Sequence, residues 1–428
     1  MKDRMARAVI ACVLVASSAQ LAWGQIHDVV LPEGPEISLN EALARSIARN
    51  PDLRAFGYQI DFAEGSVLQA ELRPYPRIGV QTEDAFGTGA LSGTERMELT
   101  VTLNWVFERG VRERRIDAAT ASVALTNIDA ELMRLDAAAE TARRYVEAMA
   151  FEARLLTAIE GVRFAEETIE AARERIAAGR ALDAELSRAE AELVRAELIE
   201  EDYEHELLSA YHRLSAQWGE TQPDFGSVGG DLSALPILEP VESLVARANQ
   251  NPELARYMDQ QRVYEAELRL AQAQVRPSWS VYGGVRRNEF LDDYAFVGGI
   301  TIPLAVRNKN QGRIAEANAS IARTEAESDA ALVRVETTLF VLWQALRHNL
   351  QTSTRLKEDV IPRIESALED TRRAYELGRY SYFQWSTVLA ELLAANNELL
   401  EANIGAHQVI IEIERLTGVG IAAPVTAQ

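Results

Sequence analysis

The chain has 428 residues, of which 47% are hydrophobic, 25% charged and 7% aromatic. This mixture can form a buried core, which excludes a disordered, collagen-like or disulfide-stapled chain. Its 44 Lys and Arg residues are outnumbered by 65 Asp and Glu residues, and the resulting formal net charge of -21 argues against a nucleic-acid partner.

The N-terminus has the three-part pattern of a secretory signal peptide, which we assign to residues 1–24. Basic residues between Lys2 and Arg7 precede a short apolar run, Ala8 to Leu14, and small residues follow at Ala22 and Gly24. The apolar run is too short to span a bilayer comfortably. We therefore expect the protein to be exported.

Cleavage before Gln25 would remove Cys12, which is the single cysteine of the sequence. The mature chain would then have no disulfide, no thiol nucleophile and no cysteine to carry a lipid. We expect membrane retention to rest on a β-barrel, because the rest of the sequence contains no apolar run long enough for a membrane-spanning helix.

Two repeated units account for the mature chain. Asn50-Pro51 recurs as Asn251-Pro252, and Arg73-Pro74 recurs as Arg276-Pro277. We predict a first repeat at 25–219, a linker rich in Gly, Pro, Ser and Asp at 220–240, a second repeat at 241–418 and a tail at 419–428.

Each repeat has two segments in which apolar and polar residues alternate. They lie at about 75–84 and 97–107 in the first repeat and at about 278–287 and 294–304 in the second. A period of two predicts strands, and ten residues is the length of a tilted transmembrane strand. Four strands cannot close a barrel, so several protomers would have to share one. Two ordinary hairpins of a soluble domain remain the alternative.

Long helical patterns follow the strands, at about 110–218 and 312–417. Apolar residues recur at heptad spacing within them, which predicts coiled-coil packing. Gly179 and Gly378 interrupt the two patterns. We therefore predict two long helical hairpins that turn at these glycines.

The order of these elements behind a signal peptide resembles the TolC family over essentially the whole mature chain. Within the family, one stretch is similar to the heavy-metal efflux (CzcC-like) branch. This strand-to-helix turn motif begins at Pro303 and ends at Gly312, and its matching residues are Pro303, Leu304, Arg307, Asn308 and Gly312.

The resemblance implies a mixed α/β membrane channel that is mainly α-helical. Three protomers would contribute four strands each to a 12-stranded outer-membrane barrel, which periplasmic helical hairpins would continue as a tunnel. The implied partners are the other copies of a homotrimer, outer-membrane lipid, a periplasmic adaptor (membrane fusion protein) and an inner-membrane pump of the resistance-nodulation-division (RND) type. The expected adaptor contacts are the hairpin tips Gly179, Arg180, Ala181, Gly378, Arg379, Tyr380 and Ser381.

We predict no enzyme, no cofactor and no metal site. The five histidines are scattered, and His205 and His212 are seven residues apart, which is too far along a helix for two ligands of one zinc ion. The positions that carry gate aspartates in some family members are about Gln384 and Thr387 here, so an acidic gate is not expected.

The predicted function is that of a passive exit duct of a tripartite efflux system, which exports heavy-metal cations. A duct of the same fold for drugs, detergents or type I protein secretion is the alternative within transport. A soluble periplasmic coiled-coil scaffold is the alternative of a different class.

Overall fold

The computed structural model describes residues 31–249, 251–303 and 308–418. Four features discussed above lie outside these residues: the signal peptide at 1–24, Leu304 and Arg307 of the turn motif, and the tail at 419–428. No helix among the described residues has an apolar stretch of the length needed to cross a membrane.

The described chain is mainly helical. The nine α-helices of this part of the chain are α1 (Leu39–Arg49), α2 (Pro51–Glu71), α3 (Val111–Ala177), α4 (Asp183–Ser215), α5 (Val241–Ala248), α6 (Pro252–Ala273), α7 (Gln311–Arg355), α8 (Ile361–Glu376) and α9 (Tyr382–Thr417). The six strands of the same residues are β1 (Glu36–Ile37), β2 (Arg77–Glu83), β3 (Glu98–Phe107), β4 (Ser227–Val228), β5 (Trp279–Asn288) and β6 (Asp293–Thr301).

The chain divides into two compact units, and each unit takes segments from both predicted repeats. Unit 1 comprises, among the described residues, 31–42, 143–235 and 349–405. Its core contains the large side chains Tyr145, Tyr211, Trp218 and Phe225. The parallel pair β1–β4 forms a short ribbon beside this core.

Unit 2 comprises the described parts of 43–142, 236–348 and 406–418. It contains one antiparallel sheet in the order β2-β3-β5-β6, so that β2 and β6 are its edges. The central pair β3–β5 joins the hairpin of the first repeat to that of the second, with Phe107 opposite Trp279 and Glu98 opposite Asn288.

The repeated Asn-Pro pairs begin helices. The Asn50 side chain accepts hydrogen bonds from the backbone N–H groups of Asp52 and Leu53 at the start of α2. Asn251 caps α6 in the same way through Glu253. The proline that follows each asparagine takes the first helical position, where its missing N–H is not needed.

The strands begin and end within three residues of their predicted bounds, and a proline explains two departures from the prediction. The last strand ends at Thr301 instead of continuing to 304, because Pro303 has no N–H to donate to the sheet. A π-helical turn, Leu356–Val360, lies between α7 and α8, and in it the Ile361 N–H donates to the carbonyl of Leu356. This turn immediately precedes Pro362, whose ring cannot fit into a regular α-helical interior.

Candidate functional site

The sheet of unit 2 has one apolar face and one polar face. Alternation along each strand and the pairing register place Val80, Val101, Val285 and Phe296 in one row across the sheet. Most other large apolar residues of the strands share this face: Ile78, Leu99, Leu103, Trp105, Phe107, Trp279, Val281, Tyr294 and Ile300. Val106, Tyr282 and Val297 lie on the opposite face. One charged residue of the strands, Arg287, lies on this face, near the loop that joins β5 to β6.

Much of the apolar face is exposed. Phe296 has 93% of its surface exposed, Ile78 75% and Val80 66%. Soluble monomers rarely expose contiguous apolar surface of this kind, and such a surface marks a membrane or partner contact. Within the described residues, therefore, the sheet has an apolar surface that the chain itself does not cover.

Aromatic residues lie at both ends of this apolar face. Phe107 and Trp279 stack with ring centroids 4.7 Å apart at the end where the strands connect to helices. Tyr294 and Phe296 lie toward the end with the hairpin loops, and the guanidinium of Arg287 lies 5.8 Å from the Tyr294 ring. Aromatic girdles that flank an apolar band are typical of membrane-inserted strands.

The polar face contains a charged network that sequence reasoning missed. Arg286 Nε donates to the Thr100 hydroxyl at 3.0 Å, and its terminal nitrogens pair with Glu83 at 3.1 Å and Glu98 at 2.8 Å. One side chain of β5 thus links β3 and β2 across the boundary between the repeats. The pairing register between strands of different repeats was needed to find this contact.

The two predicted tip glycines end helices with the same geometry. Gly179 and Gly378 have φ of 68° and 74°, which only glycine adopts without strain. The residue after each glycine, Arg180 or Arg379, donates its N–H to a carbonyl five residues back, at 2.8 Å and 2.9 Å. Each glycine N–H bonds three residues back, so both turns are Schellman motifs.

The helices that follow the two turns begin differently. The Gln384 side chain accepts a hydrogen bond from the Ser381 N–H at 2.9 Å, so this residue has a capping role. In the first turn, Leu182 precedes α4 and provides no side-chain cap. The predicted tip residues are exposed apart from Ala181, which is half-buried.

An aromatic cluster joins the stems of the two hairpins within unit 1. Tyr375 stacks on Trp385 with centroids 5.0 Å apart, and the guanidinium of Arg175 lies 4.1 Å from the Tyr375 ring centre. Ile169 and Tyr382 are buried in the same cluster. The cluster therefore brings together residues that lie between three and ten positions from the two predicted tip glycines.

Two asparagines in the described part of the strand-to-helix turn connect it by hydrogen bonds to the end of α6. Asn308 accepts a hydrogen bond from Asn310 N–H at 2.9 Å, and the Asn310 side chain donates to the carbonyl of Ala271 near the end of α6 at 3.0 Å. Gly312 is the second residue of α7. Asn310 was missed as a site residue, although its role is visible in its short, polar side chain at a helix start.

In the predicted first repeat, arginines make the hydrogen bonds to the end of the short helix. Arg112 donates to the carbonyl of Glu71 at 2.6 Å, and Arg115 donates to the carbonyls of Ala70 and Leu72 at 3.0 and 2.9 Å. These carbonyls belong to the end of α2, where backbone acceptors have no partner within the helix. In both predicted repeats, side chains at the start of the long helix thus make hydrogen bonds to the end of the preceding short helix.

A polar anchor holds the ribbon in unit 1. The Tyr145 hydroxyl lies 2.8 Å from the carbonyl oxygen of Ile37 in β1 and 2.5 Å from that of Gly229, just after β4. Glu152 accepts from the Tyr211 hydroxyl at 2.5 Å and from the Val228 N–H at 2.8 Å. Burial raises the pKa of the Glu152 carboxyl, and the two hydrogen bonds oppose that rise.

Among the described residues, no group of three or more His, Cys, Asp or Glu side chains is arranged to hold a metal ion. His205 lies 3.9 Å from Glu201 on the exposed side of α4, and the His212 ring contacts the carbonyl of Thr221 at 2.7 Å. The two histidines thus have separate neighbours.

The chain is similar to known efflux proteins. The family described as Outer membrane efflux protein matches residues 42–220. The cobalt-zinc-cadmium resistance protein CzcC of Cupriavidus metallidurans is 25% identical over 385 residues, which are 90% of each chain. The nickel-cobalt-cadmium resistance protein NccC of Alcaligenes xylosoxydans xylosoxydans is 24% identical over 307 residues, which are 70% of this chain and 69% of that protein.

Among solved structures, CusC superimposes with a TM-score of 0.70 at 18% identity, over 89% of this chain and 91% of that chain. The fold is therefore that of a TolC-like outer-membrane channel protein. Together with the family match and the two relatives, it confirms the resemblance that the sequence indicated: the chain is similar to TolC-like outer membrane efflux proteins, two of them heavy-metal resistance proteins.

Proposed function

We propose that this protein is the outer-membrane channel subunit of a tripartite efflux system that exports heavy-metal cations. The observation that carries the proposal is the exposed apolar face of the four-stranded sheet, which has aromatic residues at both ends. Contact of such a face with lipid costs little free energy, whereas its exposure to water is unfavourable.

Barrel closure requires other copies of the chain. The sheet has two unpaired edges in the described residues, β2 and β6, and an open edge presents backbone donors and acceptors that lipid cannot satisfy. Three copies would join β2 of one to β6 of the next, which gives a closed barrel of 12 strands. The polar face would then line the lumen.

The helical tips are the proposed contacts of the periplasmic adaptor. Gly179 to Ala181 and Gly378 to Ser381 form two turns of matching backbone geometry, and most of their residues are exposed. The adaptor would couple the channel to an inner-membrane pump of the RND type, which would supply the energy. The channel itself would be passive and would perform no catalysis.

The names of the two relatives support heavy-metal cations as the cargo. An acidic protein also favours cations electrostatically: the formal net charge is -21, and charged walls concentrate counter-ions at low ionic strength. We expect a reconstituted channel to prefer cations over anions in dilute salt.

Growth of a deletion strain would test the cargo. The strain is grown on graded cobalt, zinc, cadmium, nickel and copper, and on bile salts and drugs, with and without the wild-type gene. Sensitivity confined to metals and restored by the gene is the expected result. Sensitivity to drugs or bile salts with normal metal tolerance would contradict the metal assignment and leave the channel assignment intact.

Complementation by two variants would test whether metal tolerance requires the apolar face of the sheet. Val80→Arg places a charge on the apolar face, and Gln81→Arg places the same charge on the polar face of the same strand. We expect the second variant to restore metal tolerance and the first to fail. Equal restoration by both would contradict a membrane role for the apolar face.

A further inference from the structure

The two ends of the four-stranded sheet differ in charge. The helix-side segments, which adjoin the strands where they meet helices, are 71–77, 108–115, 274–279 and 308–313. They contain nine basic residues, Arg73, Arg77, Arg109, Arg112, Arg114, Arg115, Arg276, Lys309 and Arg313, against three acidic ones, Glu71, Glu108 and Glu113. This excess occurs in a protein that is strongly acidic as a whole.

The opposite end of the sheet is acidic. The loop-side segments, 83–98 and 286–293, contain the seven acidic residues Glu83, Asp84, Glu95, Glu98, Glu289, Asp292 and Asp293 against Arg96, Arg286 and Arg287. Arg286 and Arg287 are both paired with carboxylates there. The basic excess is therefore a property of one end of the sheet.

Part of the basic charge has a structural role. Arg112 and Arg115 donate to carbonyls at the end of α2, and Arg114 pairs with Asp117 at 2.9 Å. Arg313 donates to the side chain of Gln274 at 3.2 Å. The contacts of Arg112, Arg115 and Arg313 hold neighbouring helix-side segments together, whereas that of Arg114 lies within α3.

The remaining basic residues are available to a partner. Within the described part of the chain, Arg73, Arg77, Arg109, Arg276 and Lys309 form no ion pair, and all five are exposed. Unpaired exposed cations repel one another unless an anion or counter-ions neutralise them. Both repeats supply members of this set, since Arg73-Pro74 and Arg276-Pro277 are equivalent positions.

An open cavity lies beside one of these residues, Arg73, just before β2. It measures about 420 Å³ and is lined by Arg73, Tyr75 and Arg115, among others. Tyr75 has 76% of its surface exposed, and Ile78 of the apolar face follows three residues later. The cavity therefore places two arginines beside an aromatic ring, and the apolar face begins three residues further along the chain.

We propose that the helix-side segments bind the anionic headgroups of phospholipids in the membrane leaflet that meets this end of the sheet. The order of cationic rim, aromatic residues and apolar face matches the order of phosphate, interface and acyl chain in a phospholipid monolayer. This inference rests on the proposed membrane insertion of the sheet and adds to it a preference for negatively charged lipid and an orientation.

Quenching by brominated lipids would test the inference. The full mature protein is reconstituted in mixtures of brominated phosphatidylglycerol and phosphatidylcholine, and the relative binding constant of the anionic lipid is obtained from tryptophan fluorescence. Trp105 and Trp279 lie toward the helix-side end of the apolar face and would report on lipid there. We expect a preference for phosphatidylglycerol that weakens as salt increases.

The test variant is Arg73→Gln/Arg276→Gln/Lys309→Gln, which removes three charges without breaking an ion pair within the described residues. We expect the preference to fall by up to about fivefold for each charge that contacts a headgroup. The matched control, Arg163→Gln/Arg173→Gln/Arg195→Gln, removes the same charge from exposed helix surfaces. It should keep the wild-type preference.

The outcomes distinguish this inference from the proposed function. No quenching by either lipid would contradict membrane insertion itself. Quenching by both lipids with equal strength, or an unchanged preference in the test variant, would overturn the headgroup inference while insertion stands. A preference for lipopolysaccharide phosphates with none for phosphatidylglycerol would also overturn it, because the anionic ligand would then be a different lipid.

Discussion

The sheet of unit 2 and the ribbon of unit 1 differ in how far the rest of the chain covers their apolar side chains. The ribbon is two residues long on each side, and its Ile37 and Val228 are 1% and 6% exposed. The sheet has strands of seven to ten residues, yet Phe296 at its apolar face is 93% exposed. The apolar side chains of the large sheet are therefore more exposed than those of the short ribbon.

This difference shows which surface is completed within the chain and which is not. Tyr145, Tyr211 and Glu152 satisfy the backbone groups of the ribbon, so the ribbon needs nothing further. The backbone of the sheet is paired internally, but its apolar face and its two edges have no partner among the described residues. These are the surfaces that lipid and further copies of the chain would cover in the proposed channel.

The strongest test of this contrast is a charge on the apolar face. In Val80→Arg we expect loss of insertion into the outer membrane, because an arginine near the middle of a bilayer costs about 2–4 kcal/mol in each protomer. Fractionation and a heat-modifiability gel would measure it. Gln81→Arg, on the polar face of the same strand, should insert normally.

The ribbon should respond to the loss of a single hydroxyl. Tyr145→Phe removes the hydroxyl that lies between the carbonyls of Ile37 and Gly229; the Ile37 carbonyl still accepts from the Gly229 N–H, whereas the half-buried Gly229 carbonyl loses this donor, and we expect the free energy of unfolding to fall by about 1–3 kcal/mol. Chemical denaturation in detergent would measure the change. Tyr203→Phe is the control, since that hydroxyl makes no hydrogen bond within the described residues. Equal effects would show that the anchor contributes nothing specific.

The helical turns should be sensitive to a side chain at either glycine. Gly378→Ala forces a Cβ into a backbone conformation with φ of 74°, which costs about 1–2 kcal/mol. Gly161→Ala lies inside helix α3 with no atom within 4 Å of the new Cβ. There alanine should stabilise by about 0.5–1 kcal/mol. Thermal unfolding of both variants would test the opposite signs, and a neutral Gly378→Ala would contradict the assigned turn.

The smallest expected effect depends on pH, at Glu414 in unit 2. Burial raises the pKa of Glu414 to about 7, while Arg247 opposes the rise. Arg247 is itself paired with Glu239 at 2.9 Å. Because the unfolded chain ionises this carboxyl first, stability should decrease as pH rises from about 5 to about 7 and then level off.

The measurement for Glu414 compares wild type with Glu414→Gln at the two ends of this range. The variant should match wild type near pH 5 and exceed it near pH 8 by roughly 1 kcal/mol, since solvent screens the half-exposed carboxyl. A variant less stable than wild type at pH 8 would mean that the ionised carboxyl is held favourably by Arg247.

The sequence carries local signals, and these explain what could be predicted. Alternation of apolar and polar residues indicated the faces of the strands, and the glycines at 179 and 378 indicated turns because little else tolerates positive φ. The π-helical turn before Pro362 and the early end of β6 were missed, although each has a proline as its visible cause.

Contacts between distant segments could not be predicted in this way. Arg286 meets Glu83 across 203 positions of the chain, and Tyr145 meets Ile37 across 108. Both contacts depend on strand register and on helix packing, which a single sequence does not encode in any short pattern. The charge difference between the two ends of the sheet depends on which strand ends lie side by side, and the pairing register determines this.

Conductance in planar lipid bilayers tests the central claim most directly. Purified wild-type protein should form stable pores that prefer cations in dilute salt, and Val80→Arg should form far fewer pores than Gln81→Arg. A wild-type protein that folds, remains soluble without detergent and conducts no current would contradict the account, because its apolar sheet face would then have some other partner than lipid.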